Sequence, residues 1–304
     1  MSPRLTTEEQ AIAQQLLAVH AQNFPGFEPQ PCPDLAPLPS ALARAATYAC
    51  SQMGFIAADA LCLGMAWERR YQRTAGAAQT TWPDEPADFS MRACDAPARF
   101  PTCPQALGLY AVLPDAAWVG RMARAGVPTV QLRFKSTDAR AIRREVRAAV
   151  DAVAGTEALL FINDHWQEAI DAGAYGVHLG QEDLDALEPA SLEDLRCSGL
   201  RLGVSTHGYA EMVRADMIGP SYIALGAVFP TTLKRMATAP QGLQRLYAYA
   251  RLMRHYPLVA IGGIGLDAFP SVLASGVGSI AVVRALVAAA DPDAAAAELM
   301  AAMR

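Results

Sequence analysis

From residue 107 to residue 304 the chain repeats one pattern eight times, a short apolar run followed by an amphipathic stretch. The runs fall at 108–113, 129–133, 158–163, 176–179, 201–205, 222–226, 258–261 and 279–283. The amphipathic stretches fall at 116–125, 138–153, 166–172, 184–197, 209–217, 241–255, 266–274 and 291–303. Short apolar runs suit strands buried on both faces, and apolar residues at helical spacing suit helices laid over them. Eight strands, each followed by a helix, predict an α/β fold of the (β/α)8 TIM-barrel type, near that fold's lower size limit of about 200 residues. An open doubly wound sheet would carry a G-x-G-x-x-G loop after its first strand, and none follows residues 108–113.

Residues 1–106 have another texture, with 12 of the 21 prolines and only 4 of the 22 glycines. They are expected to form a mainly helical, proline-rich extension of unknown role, separate from a barrel domain at 107–304. A helix is expected over 7–22, with Thr7 and Gln10 as a capping box. Residues 24–40 read as an extended linker. Residues 41–71 read as two packed helices meeting near Gly54, and residues 80–104 as irregular. The extension would pack on the barrel or on a partner subunit, so a homo-oligomer stays open.

The chain has 25 Lys+Arg against 30 Asp+Glu, a net charge of −5, which argues against a nucleic-acid coat. Residues 1–10 lack a basic segment followed by an apolar one, and no uncharged apolar run reaches about 18 residues. A cytoplasmic protein with no membrane partner is therefore expected. The six cysteines make no C-x-x-C pair, so neither a zinc site nor a dithiol site is indicated. Only two of the basic residues are lysines, Lys135 and Lys234.

Both lysines fall at predicted strand ends, where barrel enzymes build their sites. After the second strand come Gln131, Arg133 and Lys135, which alternation points the same way into the barrel mouth. Asn163 and Asp164 follow the third strand, His178 and Asp183 the fourth, and Ser205, Thr206 and His207 the fifth. Thr231, Thr232 and Lys234 follow the sixth, Gly262 and Gly263 the seventh, and Val283 and Arg284 the eighth. Each has a plainer use: Asn163 and Asp164 as turn formers, Asp183 as cap of a helix from Leu184, Ser205 or Thr206 as cap of the next. Six loops carrying such groups on one rim point instead to anion chemistry. Arg133, Lys135 and Lys234 offer cations to phosphate. Asp164 and Asp183 offer carboxylates to Mg2+. Gly262–Gly263 stands where barrels bind phosphate on backbone N–H groups. A diphosphate at the metal and a monophosphate at the glycine pair would follow.

The blocks Gln131-x-Arg133-x-Lys135, Phe161-Ile162-Asn163-Asp164, residues 176–183 (GVHLGQED), residues 203–207 (GVSTH), Phe229-Pro230-Thr231-x-x-Lys234, Gln241-Gly242-Leu243 and residues 260–264 (AIGGI) resemble the thiamine phosphate synthase family, in order and spacing. The resemblance covers about residues 107–304. It implies a transferase that joins hydroxymethylpyrimidine diphosphate to a phosphorylated thiazole, releasing diphosphate through a dissociative, Mg2+-assisted path. It implies catalytic roles for Arg133, Lys135, Lys234 and Ser205. Gln131, Asn163 and Ser205 match positions holding the pyrimidine diphosphate. Thr231, Thr232, Gly262, Gly263, Val283 and Arg284 match the thiazole phosphate side, and Asp164 and Asp183 the metal.

The chain departs from the family pattern at Leu233, where a threonine is usual, at Arg284, where serine is common, and at Leu113-Pro114-Asp115 in place of threonine-aspartate. Two alternatives remain at this point. One is a thiazole tautomerase-like enzyme of the same fold. The other is a non-catalytic regulatory protein that binds thiamine precursors.

Overall fold

The computed structural model describes residues 5–77, 79–91, 99–231 and 238–304. Two compact units form: Met1–Cys94 with Gly208–Met217, and Asp95–His207 with Ile218–Arg304.

The second unit holds a closed parallel barrel whose strands neighbour one another in chain order. They are β1 Gly108–Leu113, β2 Thr129–Leu132, β3 Leu159–Asn163, β4 Gly176–Leu179, β5 Arg201–Thr206, β6 Tyr222–Leu225, β7 Leu258–Ile261 and β8 Ser279–Val282. The eight expected strands are all present. The register aligns Val112, Gln131, Phe161 and Gly176 across the first four strands. It aligns His178, Gly203 and Tyr222 across the next three. Alternate residues of each strand turn inward and fill the barrel in layers. Leu107, Tyr110, Val112, Phe161, Tyr222, Ala224, Val259 and Ala281 form one buried cluster there. The ring of Phe161 stands edge-on to that of Tyr222, centroids 5.1 Å apart. Gly203 makes room for them, since a Cβ at that position would lie 2.1 Å from Tyr222 Cζ.

In the barrel two expectations need correction. β2 ends at Leu132, so the alternation expected to carry Arg133 and Lys135 inward stops before either residue. The helix expected over 184–197 is two helices, Gln181–Ala186 and Pro189–Cys197. Proline has no N–H to donate and forces the residue before it out of helical geometry; Glu188 is accordingly extended. A short helix at Arg284–Val287, not expected, follows β8, and the last helix, Pro292–Ala302, is capped by Asp291.

The first unit begins with α1, Thr7–His20, then α2, Ala41–Gln52, and α3, Ala57–Arg73. The capping box lies one residue earlier than expected. The Thr6 hydroxyl accepts from Glu9 N–H, and the Glu9 carboxylate accepts from Thr6 N–H at 2.8 Å. The stretch expected to be irregular contains a 3-10 turn, Pro86–Phe89. Its Asp88 carboxylate, fully buried, accepts from Arg73 Nε and Nη2 at 2.9 and 2.8 Å and from Arg70 Nη1 at 3.0 Å. The helix that follows β5, Tyr209–Ile218, starts in this unit. Asp59 Oδ1 accepts from Ala210 N–H at 2.9 Å, and the Tyr209 ring stacks on Phe89.

His20 lies edge-on between Trp67 and Trp82, with Nε2 2.6 Å from the Thr80 carbonyl. Burial holds its pKa below the ordinary 6.5. The unfolded chain therefore binds this proton more readily than the folded one. The stability that neutral His20 contributes is complete above pH 6.5 and is lost as pH falls through the folded value. The thermal midpoint is expected to drop as pH falls below 6.5, and His20→Gln is expected to flatten that drop. Equal slopes in the two chains would show that His20 is not the titrating group.

Candidate active site

The carboxyl ends of β2, β3 and β4 bring Lys135, Asp164 and Asp183 together. Asp164 follows β3 with φ +64°, a left-handed conformation that Asp and Asn tolerate better than most residues. Its N–H donates to the His178 carbonyl of β4 at 3.0 Å, which fixes where the carboxyl starts. Lys135 Nζ donates to Asp164 Oδ2 at 2.5 Å. Asp183 sits at the third position of its helix and accepts from Gly180 N–H at 2.8 Å. It thus caps a helix, as the plainer reading had it, but one that begins at Gln181 rather than Leu184. The same carboxyl hydrogen-bonds to Asp164.

The two acids titrate as a pair. Burial pushes Asp164 upward, but the Lys135 ammonium and the hydrogen bond with Asp183 outweigh it and hold Asp164 below the usual carboxylate range. Burial and the Asp164 charge push Asp183 upward, against the Gly180 amide. Two acid groups this close cannot both ionise cheaply, so as pH falls Asp183 takes up a proton before Asp164 does.

Deeper in the barrel a row of polar groups starts below the rim. Gln131 is buried and its Nε2 donates to Tyr110 Oη at 3.0 Å. Tyr110 and Tyr222 share a hydrogen bond of 2.7 Å between their hydroxyls. His178 Nδ1 lies 2.7 Å from Tyr222 Oη, and its Nε2 lies 2.8 Å from Ser205 Oγ. Gln181 Nε2 donates to the Ser205 carbonyl at 2.7 Å. Asn163, also buried, pairs with His178 across β3 and β4. Tyr110 and Tyr222 were missed in the sequence because an inward tyrosine in a barrel strand looks like core. His178 was grouped with a loop, yet it is an in-strand residue. Its even spacing from Gly176, with Ser205 two residues beyond its register partner Gly203 on β5, is the signal available.

Arg133 is half-buried and its N–H donates to Leu113 O at 2.8 Å, extending the ladder past β2. On the opposite side Gly262 and Gly263 have φ +104° and +65°. Phe229 N–H donates to the Gly262 carbonyl at 2.9 Å, and a Cβ on Gly263 would lie 2.5 Å from the Pro230 carbonyl oxygen. Close approach of two loops thus requires glycine here independently of any ligand. Thr231 and Val283 are half-buried and Arg284 is exposed. Thr232, Leu233 and Lys234 lie outside the described residues. Among the described residues no group of three or more His, Cys, Asp or Glu is placed to hold a metal, and no helix is long and apolar enough to cross a membrane.

A closed (β/α)8 barrel with a lysine and two paired acids at its strand ends carries these groups where barrel enzymes build their sites. A family model described as thiamine monophosphate synthase matches residues 109–286, and the chain belongs to that family, whose members are transferases. The thiamine-phosphate synthase of Neisseria gonorrhoeae is 54% identical over 195 residues, covering 64% of this chain and 94% of the relative. That of Yersinia pestis is 48% identical over 201 residues, covering 66% of this chain and 92% of the relative. Among solved structures, thiamine phosphate pyrophosphorylase from Pyrococcus furiosus superposes with a TM-score of 0.57 at 29% identity, over 65% of this chain and 95% of that one.

Proposed function

We propose that the barrel condenses hydroxymethylpyrimidine diphosphate with a phosphorylated thiazole, giving thiamine phosphate and diphosphate. The observation that carries this reading is the convergence of Lys135, Asp164 and Asp183 at three adjacent strand ends. The high identity to synthases over nearly their whole length supports it. The acid pair fits Mg2+: two hard carboxylate donors lie close enough to perturb each other, a repulsion that a divalent cation would relieve. When bound, Mg2+ would supply Lewis-acid charge to the diphosphate oxygens.

The chain's own groups do the rest. Lys135, Arg133 and Lys234 neutralise charge gathering on the departing diphosphate. Gln131, Asn163 and Ser205 orient the pyrimidine end. Thr231, Thr232, Gly262, Gly263, Val283 and Arg284 surround the thiazole phosphate. The thiazole nitrogen attacks with its own lone pair, so leaving-group stabilisation matters more than a general base. The N-terminal helices α1, α2 and α3 stand outside this chemistry, and the reaction takes place in the cytoplasm.

The test is diphosphate release measured with each substrate alone, with both together, and with and without Mg2+. Release only when both substrates and Mg2+ are present is expected. No turnover at saturation would favour a precursor-binding regulator instead.

A further inference from the structure

We propose that Tyr110 and Tyr222 are positioning residues. They carry one donor direction across the barrel from the Gln131 amide to His178, so that His178 presents Nε2–H to Ser205 and the Ser205 hydroxyl donates into the site. Four links join these five side chains: 3.0 Å from Gln131 to Tyr110, 2.7 Å between the phenols, 2.7 Å from Tyr222 to His178 Nδ1, and 2.8 Å from His178 Nε2 to Ser205. The chain passes through β2, β1, β6, β4 and β5 in turn.

The direction follows from the inventory of protons. An amide nitrogen donates and cannot accept, while each phenol has one proton to give. Burial raises both phenols well above their ordinary range, so each keeps that proton. Tyr110 receives from Gln131, and its own buried proton finds its acceptor in the Tyr222 oxygen 2.7 Å away, so Tyr110 donates to Tyr222. Tyr222 in turn donates to His178 Nδ1. A neutral imidazole that accepts at Nδ1 carries its proton at Nε2. Ser205 Oγ then accepts from His178, and its own proton points elsewhere. With Tyr222 as the donor instead, Tyr110 would accept twice and its own buried proton would lose this acceptor, with the cost of an unmade buried hydrogen bond.

The structural arm of the test is independent of the proposed function; the kinetic arm rests on the reading of Ser205 as a substrate-facing hydroxyl. Nitrogen-15 NMR of the full chain with labelled histidine reads the His178 tautomer. A fixed Nε2–H form is expected in the wild type, and a mixture in Tyr222→Phe. In that variant kcat is expected to fall about tenfold with KM little changed. Adding Ser205→Ala to Tyr222→Phe should cost less than the two separate losses combined, because both act through one hydroxyl. An Nδ1–H tautomer in the wild type, or a wild-type tautomer in Tyr222→Phe, would overturn the proposal. If Tyr222→Phe fails to fold, the wild-type spectrum and Tyr110→Phe decide, the latter expected to loosen the tautomer while keeping the Tyr222 contact. A fixed Nε2–H form in a chain without turnover would keep this proposal and remove the proposed function.

Discussion

Asp164→Asn is expected to lower kcat/KM about a thousandfold with little change in fold, the size of loss that follows removal of a preorganised charge from a reacting anion's site. Asparagine is the informative replacement. It tolerates the left-handed backbone at φ +64°, so the loop keeps its path. It removes the charge that draws in Lys135 and raises Asp183. Stability should barely move, because the Lys135 side chain is 59% exposed and an ion pair of that kind contributes under about 1 kcal/mol. Circular dichroism and thermal midpoint should match the wild type within a few degrees. Undiminished turnover would remove Asp164 from the site. An unfolded variant would make it a structural turn residue.

The second large effect concerns stability and falls in the N-terminal unit. Asp88 is fully buried and holds Arg73 through two hydrogen bonds and Arg70 through one. Its loss leaves Arg70, 13% exposed, without that partner, while Arg73, 43% exposed, can turn to water, so the cost is about 2 kcal/mol, below that of a fully buried pair. Asp88→Ala should therefore lower that unit's melting midpoint by roughly 10 °C. Asp88→Asn, which keeps one acceptor and the volume, should lose less. Arg70 retains Asp84 at 3.3 Å, which limits but does not cancel the loss. Hydrogen exchange in α3 would report the change locally. An Asp88→Ala chain with unchanged exchange in α3 would mean the pair is worth no more than a surface one.

The barrel was legible because its signal is repeated. Buried parallel strands need unbroken apolar runs, and eight in succession admit few arrangements. Helix ends were less legible. Residues 184–197 keep a helical pattern across Pro189, and only the proline's missing donor splits it. At the rim, Lys135, Asp164 and Asp183 were readable because charged residues at buried strand ends need a use beyond packing. The interior chain was not readable. Tyr110 and Tyr222 have the same inward parity and size as Phe161, and only the register shows that their hydroxyls meet. Gly262–Gly263 was read for its N–H groups, whereas the described contacts show two loops that a Cβ would push apart. In the N-terminal unit the distant partners Arg70, Arg73 and Asp88 share no local pattern that a sequence displays.

The central claim is that Lys135, Asp164 and Asp183 together hold a magnesium diphosphate. Calorimetric titration of the full chain with inorganic diphosphate, with and without Mg2+, measures this without turnover. Binding in the wild type only when Mg2+ is present, and its loss in Asp164→Asn, is the expected result. Equal binding in both chains, or binding indifferent to Mg2+, would contradict it.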